Sequence, residues 1–299
     1  MKEKKDKQNK QNRILRTVTV VIILLLAVEG IVLGVWWGNN NLQTDTYAFA
    51  APNLPESFDG FRVVQLSDLH GKSFGNGNRD LIAAVEKQSP DAVFLTGDLV
   101  DARSSVADVV PLIEGLTALA PVYYVTGNHE WGSGQAQETV RTLRELGVIC
   151  LENEFVRVER GDGHIFIAGI HDPNGRADQK KPEQLADEVY SSEPGTPFWL
   201  LLAHRNNLFN SKYCRLGAAL TFCGHAHGGI WRLPFTDGFI DTQMNLFPSF
   251  TSGFYQCTDR HNSGNSAWVF VSRGLGNSPR GTFRLFYRPQ VAVITLRRG

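Results

Sequence analysis

Histidine, aspartate and asparagine residues recur in this sequence directly after short apolar segments. They stand in Asp68-Leu69-His70, Gly97-Asp98, Gly127-Asn128-His129-Glu130, the single His204 and Gly224-His225-Ala226-His227. Carboxylate, amide and imidazole side chains are ligands for divalent metal ions. The seven candidate ligands are Asp68, His70, Asp98, Asn128, His204, His225 and His227. This is too many for one ion, whereas a pair of ions about 3.5–4 Å apart would use them all.

The spacing of these residues favours convergence on one centre. Residues i and i+2 of an extended chain project to the same side, so Asp68 and His70 could reach one ion together. The same holds for the two histidines of the last motif. The glycines around those histidines remove side chains that would crowd them. Asp98 stands alone after its apolar segment and is therefore the natural candidate to bridge both ions.

The charge of such a site indicates its chemistry. Two divalent ions, two aspartates and a bridging hydroxide leave a net charge of about +1, which suits a phosphate oxyanion. The ions would lower the pKa of the bridging water, and the resulting hydroxide would attack in line with the leaving oxygen. His129 should point away from Asn128 and protonate that oxygen as a general acid. Asp101 is predicted to hold the imidazole of His129. Oxygen and imidazole ligands without thiolate are compatible with Mn, Fe or Zn.

The elements that must position these residues alternate between strands and helices. Short β-branched segments bounded by turn residues predict buried strands. These segments are 61–68, 91–98, 121–128, 197–204, 218–225, 267–274 and 290–296. Amphipathic spacing predicts helices at 79–88 and 106–119, and Gly161-Asp162-Gly163 predicts a hairpin. Strand–helix–strand units predict parallel pairing, and ligands bind at the carboxyl ends of such strands. Residues 231–265 are predicted to form a long loop.

The five motifs, in this order, resemble those of the calcineurin-like metallophosphoesterase superfamily over about residues 46 to 299. The resemblance implies an α/β fold, namely a four-layer α/β/β/α sandwich. It also implies two ligand sets that share one carboxylate. One ion would be bound by Asp68, His70, Asp98 and His227, and the other by Asp98, Asn128, His204 and His225. His129 would take the acid role.

Three stretches are similar to the membrane-anchored branch of this superfamily, which includes UDP-2,3-diacylglucosamine pyrophosphatase-like phosphodiesterases. They are SDLHG, GHAHGGIWRLPF and VSRGLGNSPRGTFRLFYRPQVAVITL. One departure is Asn206, because that branch often has proline two residues after the lone histidine, here His204. The departure leaves the metal ligand intact and bears on the shape of the loop and on the substrate.

The amino-terminal segment is typical of a membrane anchor. A basic run is followed by about 20 mostly apolar residues, enough to cross a bilayer core, and Trp36 and Trp37 stand where an interfacial aromatic belt would fall. A cleaved signal peptide is the alternative, but its apolar region is typically about 7–15 residues. The predicted parts are a basic cytoplasmic tail at 1–16, a transmembrane anchor at 17–38, a linker at 39–45 and a metallophosphoesterase domain at 46–299.

The distribution of charge predicts orientation and partners. Lysine and arginine are absent between Arg16 and Arg62, so the basic end should stay in the cytoplasm and the domain should lie outside. The chain has 30 basic and 30 acidic residues, and without the amino-terminal segment it carries a small acidic excess. No nucleic acid partner is therefore expected. The 4 cysteines have no C-x-x-C spacing, which is not typical of a thiolate zinc site.

These features predict a membrane-tethered, metal-dependent phosphoric ester hydrolase. It would act on a phosphodiester or pyrophosphate bond of an envelope or lipid-linked substrate. A protein phosphatase or a nuclease of the same fold is a second reading, and the acidic domain counts against the nuclease. A non-catalytic, membrane-tethered binding module is an alternative of a different class. Such a module would be expected to have lost ligands, whereas all seven are present.

Overall fold

A computed structural model provides the architecture of residues 2–176, 179–232, 236, 238–241, 244–257, 267–277, 283–285 and 287–299. Its helices are α1 Lys2–Asn40, α2 Arg79–Glu86, α3 Val110–Thr117, α4 Asn128–Gly132, α5 Ala136–Glu145 and α6 Pro182–Ser191. Its strands are β1 Gln43–Ala51, β2 Arg62–Leu66, β3 Ala92–Thr96, β4 Val122–Val125, β5 Ile149–Cys150, β6 Glu154–Arg160, β7 Gly163–Gly169, β8 Trp199–Arg205, β9 Leu220–Gly224, β10 Gly253–Gln256, β11 Trp268–Val271 and β12 Gln290–Arg298.

The strands form two six-stranded sheets. The first has the order β1-β12-β2-β3-β4-β5 and the second has the order β10-β11-β9-β8-β7-β6. Neighbouring strands β2, β3 and β4 run parallel in the first sheet, as do β8 and β9 in the second. Parallel pairing follows from the helices and long connections that return the chain to the same sheet edge. The carboxyl ends of these strands therefore meet at one edge of each sheet.

Apolar contacts stack the two sheets and the helices into four layers. Between the sheets, Phe94 of β3 packs edge-on against Phe222 of β9, with ring centroids 4.9 Å apart. Helices α2, α3 and α5 cover the first sheet through residues such as Ile113, and α6 covers the second through residues such as Leu185. Full burial of one such side chain contributes about 1.5–3 kcal/mol. The predicted α/β/β/α sandwich is confirmed.

The predicted loop at 231–265 differs from the structure in one respect. It contains β10, which pairs antiparallel with β11 at the edge of the second sheet. The pairing partner, β11, lies beyond the segment in sequence, so the local composition of glycine, phenylalanine, threonine and serine did not reveal the strand. Residues 233–235, 237, 242–243 and 258–265 of this predicted loop lie outside the described residues.

Helix α1 leads almost directly into the first sheet. α1 continues to Asn40 and β1 begins at Gln43, so the prediction of a linker at 39–45 is wrong. The reason is that Gln43 already pairs with Gln290, at the start of the parallel ladder between β1 and β12. Within the described part of the chain, α1 is the one helix long and apolar enough to cross a membrane.

Cys214 and Cys257 form a disulfide across 43 positions of the sequence. Cys214 lies in the connection between β8 and β9, and Cys257 directly follows β10, so the bond fastens the end of β10 to that connection. Reduction is expected to lower the free energy of unfolding by about 2–4 kcal/mol, because the cross-link restricts the unfolded chain. Thermal unfolding with and without a reductant measures this effect.

Two variants control the disulfide experiment. The double variant Cys214→Ala/Cys257→Ala should unfold at the same lowered temperature whether or not reductant is present. Cys150 is buried and free, so Cys150→Ala should keep the response to reductant. An unchanged Tm in wild-type protein whose bond has been shown by mass spectrometry to be reduced would contradict the prediction.

Candidate metal centre

The seven predicted ligands converge at the carboxyl ends of strands from both sheets. In the first sheet, β2, β3 and β4 end within three residues of Asp68, Asp98 and Asn128, respectively. In the second sheet, His204 is the penultimate residue of β8, and His225 directly follows β9. The two edges face each other because the sheets pack face to face, so the ligands of one sheet meet those of the other.

The donor atoms form three overlapping groups, and within each group they lie within 4.8 Å of one another. The groups are Asp68, His70 and His227; His70, Asp98 and His129; and Asp98, His204 and His225. Asn128 adjoins the last group, because its Oδ1 atom is 3.1 Å from Nε2 of His204. The structure therefore brings all seven predicted ligands together, with Asp98 common to two groups.

Asp98 lies at the centre of the cluster. Its Oδ2 atom is 3.1 Å from His204 Nε2, 3.8 Å from His70 Nε2 and 3.9 Å from His129 Nε2. This buried oxygen has no aligned hydrogen-bond donor. Beside it, Nε2 of His70 faces Nε2 of His227 at 3.3 Å. A buried carboxylate oxygen without a donor, next to imidazole nitrogens that face each other, fits the binding of divalent cations.

The charges of the side chains agree with this fit. Burial lowers the pKa of His204, but the negative charge of the adjacent Asp98 outweighs burial and raises the pKa to about 10. Burial and the positive charge of His204 lower the pKa of His225 to about 3. The cluster thus draws positive charge towards Asp98 while keeping His225 neutral, and the neutral imidazole is the form that binds a metal.

Hydrogen bonds fix the orientation of the ligands. Nδ1 of His204 is 2.8 Å from the carbonyl oxygen of Thr96, so it can donate there and leave Nε2 for a metal. The backbone N–H of His225 donates to both oxygens of Asp68, at 3.0 and 3.1 Å. Both contacts join a residue of one sheet to a residue of the other, so the ligands also hold the two sheet edges together.

Five of the seven candidate ligands have a left-handed rather than an extended backbone. Asp68, His70, Asp98, His225 and His227 have φ angles between 48° and 69°. The expectation that extended chain would align residues i and i+2 is therefore wrong: sharp turns after the strand ends aim the side chains at the centre. Such backbone costs on the order of 1–3 kcal/mol per residue and clusters at functional sites.

Two glycines provide space for carboxylates. A Cβ atom on Gly224 would lie 1.9 Å from Ser67 Oγ and 2.5 Å from Asp68 Oδ2, and one on Gly127 would lie 2.2 Å from Asp98 Oδ1. The sequence predicted that the glycines beside the paired histidines would make room for the imidazoles. The structure shows that Gly224 instead makes room for the carboxylate of Asp68, which follows a strand of the other sheet.

Asp101 lies beside His70 and not, as predicted, in position to hold His129. Its Oδ2 atom is 3.4 Å from Nδ1 of His70. The carboxylate also accepts hydrogen bonds from the backbone N–H and the guanidinium of Arg103, at 2.8 and 3.1 Å. A turn closed by hydrogen bonds between Asp101 and Ser104 directs the carboxylate of Asp101 towards His70. The predicted partnership with His129 is therefore wrong, and Asp101 is placed to orient His70.

His129 lies at the mouth of the cluster. Its side chain is 34% exposed, whereas that of Asp98 is 1% exposed. The backbone N–H of His129 donates to Asp98 Oδ1 at 2.8 Å, and its ring centroid lies 4.9 Å from that of His70. The imidazole is therefore held next to the candidate metal ligands while one side remains open to solvent.

Glu130 was not included in the predicted site, yet it joins two of the ligand loops. The side chain is fully buried, and Oε2 accepts hydrogen bonds from the N–H groups of Asp98 and Gly127, at 3.1 and 2.9 Å. Oε1 accepts from the N–H groups of Leu99 and Val100, at 2.6 and 3.3 Å. Burial and the charge of Asp98 raise the pKa of Glu130 to about 7. Its place at the end of the third motif was the one signal in the sequence.

Glu130→Gln tests this support. The variant keeps the shape of the side chain but directs an amide donor at backbone N–H groups. We expect the free energy of unfolding of the metal-free protein to fall by about 2–4 kcal/mol, because buried donors lose their acceptor. Denaturant unfolding measures the change, and Glu138→Gln, at an exposed position of α5, is the control. A loss no larger than in the control would show that Glu130 does not support the loops.

The loop after His204 is fixed by two contacts that the sequence did not reveal. Arg205 forms a bidentate ion pair with the buried Asp172, at 2.6 and 3.0 Å. Asn206, which replaces the proline frequent in the resembled branch, donates its amide to the carbonyl of Phe250 at 2.7 Å. The departure therefore ties this loop to the segment that leads into β10.

Comparison with known proteins adds independent findings. A family model described as Calcineurin-like phosphoesterase matches residues 61–229, a range that contains all seven predicted ligands. The uncharacterized metallophosphoesterase YkuE of Bacillus subtilis is 27% identical over 265 residues, 86% of each chain. The Danio rerio transmembrane protein with metallophosphoesterase domain is 34% identical over 187 residues, 59% of this chain and 42% of that protein. Phosphodiesterase YaeI of Escherichia coli is 28% identical over 245 residues, 79% of this chain and 82% of that protein.

Proposed function

Because the chain belongs to the calcineurin-like phosphoesterase family and is thus a metal-dependent phosphoric ester hydrolase, we propose that it hydrolyses a phosphodiester or pyrophosphate bond in a lipid-linked substrate. The convergence of seven donor side chains, with Asp98 at their centre, is the observation that carries this proposal. The name of one relative, a phosphodiesterase, supports the choice of a diester.

We assign two divalent ions to the cluster. One would be held by Asp68, His70, Asp98 and His227, and the other by Asp98, Asn128, His204 and His225. The mixture of oxygen and imidazole donors without thiolate suits Mn, Fe or Zn. When bound, such ions stabilise negative charge on phosphate oxygens and make water nucleophilic at neutral pH.

The protein's own side chains would then orient and supply protons. Asp98 holds the backbone of His129 through its Oδ1 atom, which keeps the imidazole at the open side of the cluster. From there, a proton on Nε2 can pass to the leaving oxygen of the substrate. Asp101 keeps His70 in the ligand orientation through Nδ1.

An amphiphilic substrate is supported by the surroundings of the site. The apolar helix α1 and relatives named transmembrane proteins suggest anchoring in a membrane. Outside α1, the large apolar side chains that the described residues expose are Met244, Leu246, Phe247 and Phe283. Three of them belong to the segment between His227 and β10, so an acyl chain could contact them while its phosphate reaches the site.

Hydrolysis assays on the full chain in detergent micelles test this function. The substrates are bis-p-nitrophenyl phosphate, a nucleotide-linked lipid, a phospholipid and a cyclic nucleotide, each with Mn²⁺ and after chelation. We expect metal-dependent hydrolysis of the diesters that is fastest for a lipid-linked substrate. The double variant Leu246→Ser/Phe247→Ser should slow hydrolysis of the lipid-linked substrate. Its hydrolysis of bis-p-nitrophenyl phosphate, the control substrate, should be unchanged. Fastest turnover of the cyclic nucleotide would contradict the substrate class, and activity that survives complete chelation would contradict the metal mechanism.

We further propose that the domain lies outside the cytoplasm. The basic residues before the apolar segment favour a cytoplasmic amino terminus. The disulfide between Cys214 and Cys257 is independent support, since such bonds persist in oxidising compartments.

Protease digestion of sealed membrane vesicles of known orientation tests this topology. Protease added to right-side-out vesicles should remove the domain, and inverted vesicles should protect it until detergent is added. The opposite pattern of protection would reverse the proposed orientation.

A further inference from the structure

The end of the anchor helix is hydrogen-bonded to the segment before β12. Asn39 is 7% exposed, and its side chain donates to the carbonyl of Arg284 at 3.1 Å and accepts from the N–H of Arg284 at 2.9 Å. The neighbouring Asn40 is exposed and donates its amide to the carbonyl of Trp36 at 2.8 Å. Asn39 makes the equivalent bond with Val35, at 2.6 Å. The two asparagines therefore differ in their contact with the domain.

Arg284 is a buried cation that braces a loop. Its guanidinium donates to the carbonyl oxygens of Arg273 and Gly276, at 2.9 and 2.6 Å. Burial lowers its pKa. The carboxyl end of α1 carries the negative end of the helix dipole, which favours nearby cations. Lys72 supplies a second cation there, donating to the carbonyl of Asn39.

The residues around Arg284 contact two candidate metal ligands. The N–H of Gly276, whose carbonyl accepts from Arg284, donates to the carbonyl of Asp68 at 2.6 Å. The ring of Tyr287 lies 5.1 Å from the guanidinium carbon of Arg284, and its hydroxyl donates to the carbonyl of His227. Asp68 and His227 belong to the same group of donor atoms. The backbones of Asp68 and His227 are thus supported from the side on which α1 ends.

We infer that Asn39 is a positioning residue for one of the two ions, the one assigned to Asp68, His70 and His227. Asn39 fixes the backbone of Arg284, whose guanidinium contacts Gly276 and Tyr287. These two residues in turn support the backbones of Asp68 and His227. In the other group, His204 is oriented by the carbonyl of Thr96. The backbone N–H of His225 meets the side chain of Asp68 and not the backbone carbonyl that Gly276 supports. The anchor is accordingly a structural part of the metal centre as well as a tether. This inference rests on the proposed two-ion function.

Co²⁺ titration of the metal-stripped full chain in detergent tests the inference, with Asn40→Ala as the matched control for Asn39→Ala. Visible absorption reports imidazole coordination, and equilibrium dialysis reports the number of ions bound. In Asn39→Ala, one binding step should weaken by about 3–10-fold while the other is unchanged. This is less than the about 10–100-fold typical of residues that contact a ligand directly, because Asn39 acts through intermediates. In Asn40→Ala, both steps should match those of the wild type.

The outcomes separate the inference from the function on which it rests. Equal affinities in all three proteins would overturn the inference alone. Equal weakening of both steps, with a lower Tm of the metal-free protein, would also overturn it, because that pattern reports a loosened domain. A wild-type chain that binds no Co²⁺ would overturn the proposed function as well. Asn39→Asp keeps the acceptor for the N–H of Arg284 and loses the donor, and it serves in the same titration should Asn39→Ala fail to fold.

Discussion

Asp98→Asn is expected to prevent the binding of a metal pair and to slow hydrolysis of bis-p-nitrophenyl phosphate by about 10³-fold or more. Asp98 Oδ2 lies within 3.9 Å of three imidazole nitrogens that belong to both halves of the cluster. An amide carries no charge to hold two cations together, and a loss of about 4 kcal/mol of transition-state stabilisation corresponds to that factor. Elemental analysis and steady-state kinetics on the same samples measure both effects.

Asp162→Asn is the control for this substitution. Asp162 is an exposed residue of the turn between β6 and β7, so its change should leave metal content and rate as in the wild type. A metal pair and full activity in Asp98→Asn would contradict the bridging role. Equal, near-zero rates in the wild type and in Asp98→Asn would favour the non-catalytic binding module.

His129→Gln is expected to slow hydrolysis of an alkyl phosphodiester by about 10²–10⁴-fold, the usual contribution of a general acid. The defect on bis-p-nitrophenyl phosphate should be much smaller, because p-nitrophenolate leaves readily without a proton. The ratio of kcat/KM for the two substrates is the measurement. This ratio distinguishes a loss of proton donation from a loss of metal binding. The distinction is needed because Nε2 of His129 also lies 3.9 Å from Oδ2 of Asp98.

The metal content of His129→Gln must therefore be determined alongside its rates. We expect two ions per chain, as in the wild type, and no change of either rate in His164→Gln, whose ring instead contacts Glu193. Equal losses on both substrates, together with loss of an ion, would show that His129 acts as a ligand and not as the acid.

The convergence of the candidate ligands could be predicted because it depends on local features. Each candidate follows an apolar, β-branched segment, and parallel strands place their carboxyl ends at a common edge. The backbone that aims the ligands was not predictable in the same way. Asp68 and His227 have positive φ angles and contact residues that follow strands of the other sheet, and no short stretch of sequence encodes such contacts.

The errors share this origin. The position of Asp101 three residues after Asp98 predicts contact with His129, whereas the turn to Ser104 directs its carboxylate to His70. Residues 39–45 were read as a linker from their polarity, but Gln43 pairs with the distant β12. In both cases the partner, His70 or β12, is distant in sequence, so local composition and spacing do not reveal it.

The short passage from α1 to β1 limits where this enzyme can work. Two residues, Asn41 and Leu42, separate the helix from the strand, and an extended chain of that length reaches about 7 Å. With α1 in a membrane, as proposed, a domain on so short a connection could move only a short distance from the membrane surface. Its encounters with substrate would then be governed by lateral diffusion within the same leaflet, and molecules whose scissile group projects far above the lipid headgroups would pass out of reach.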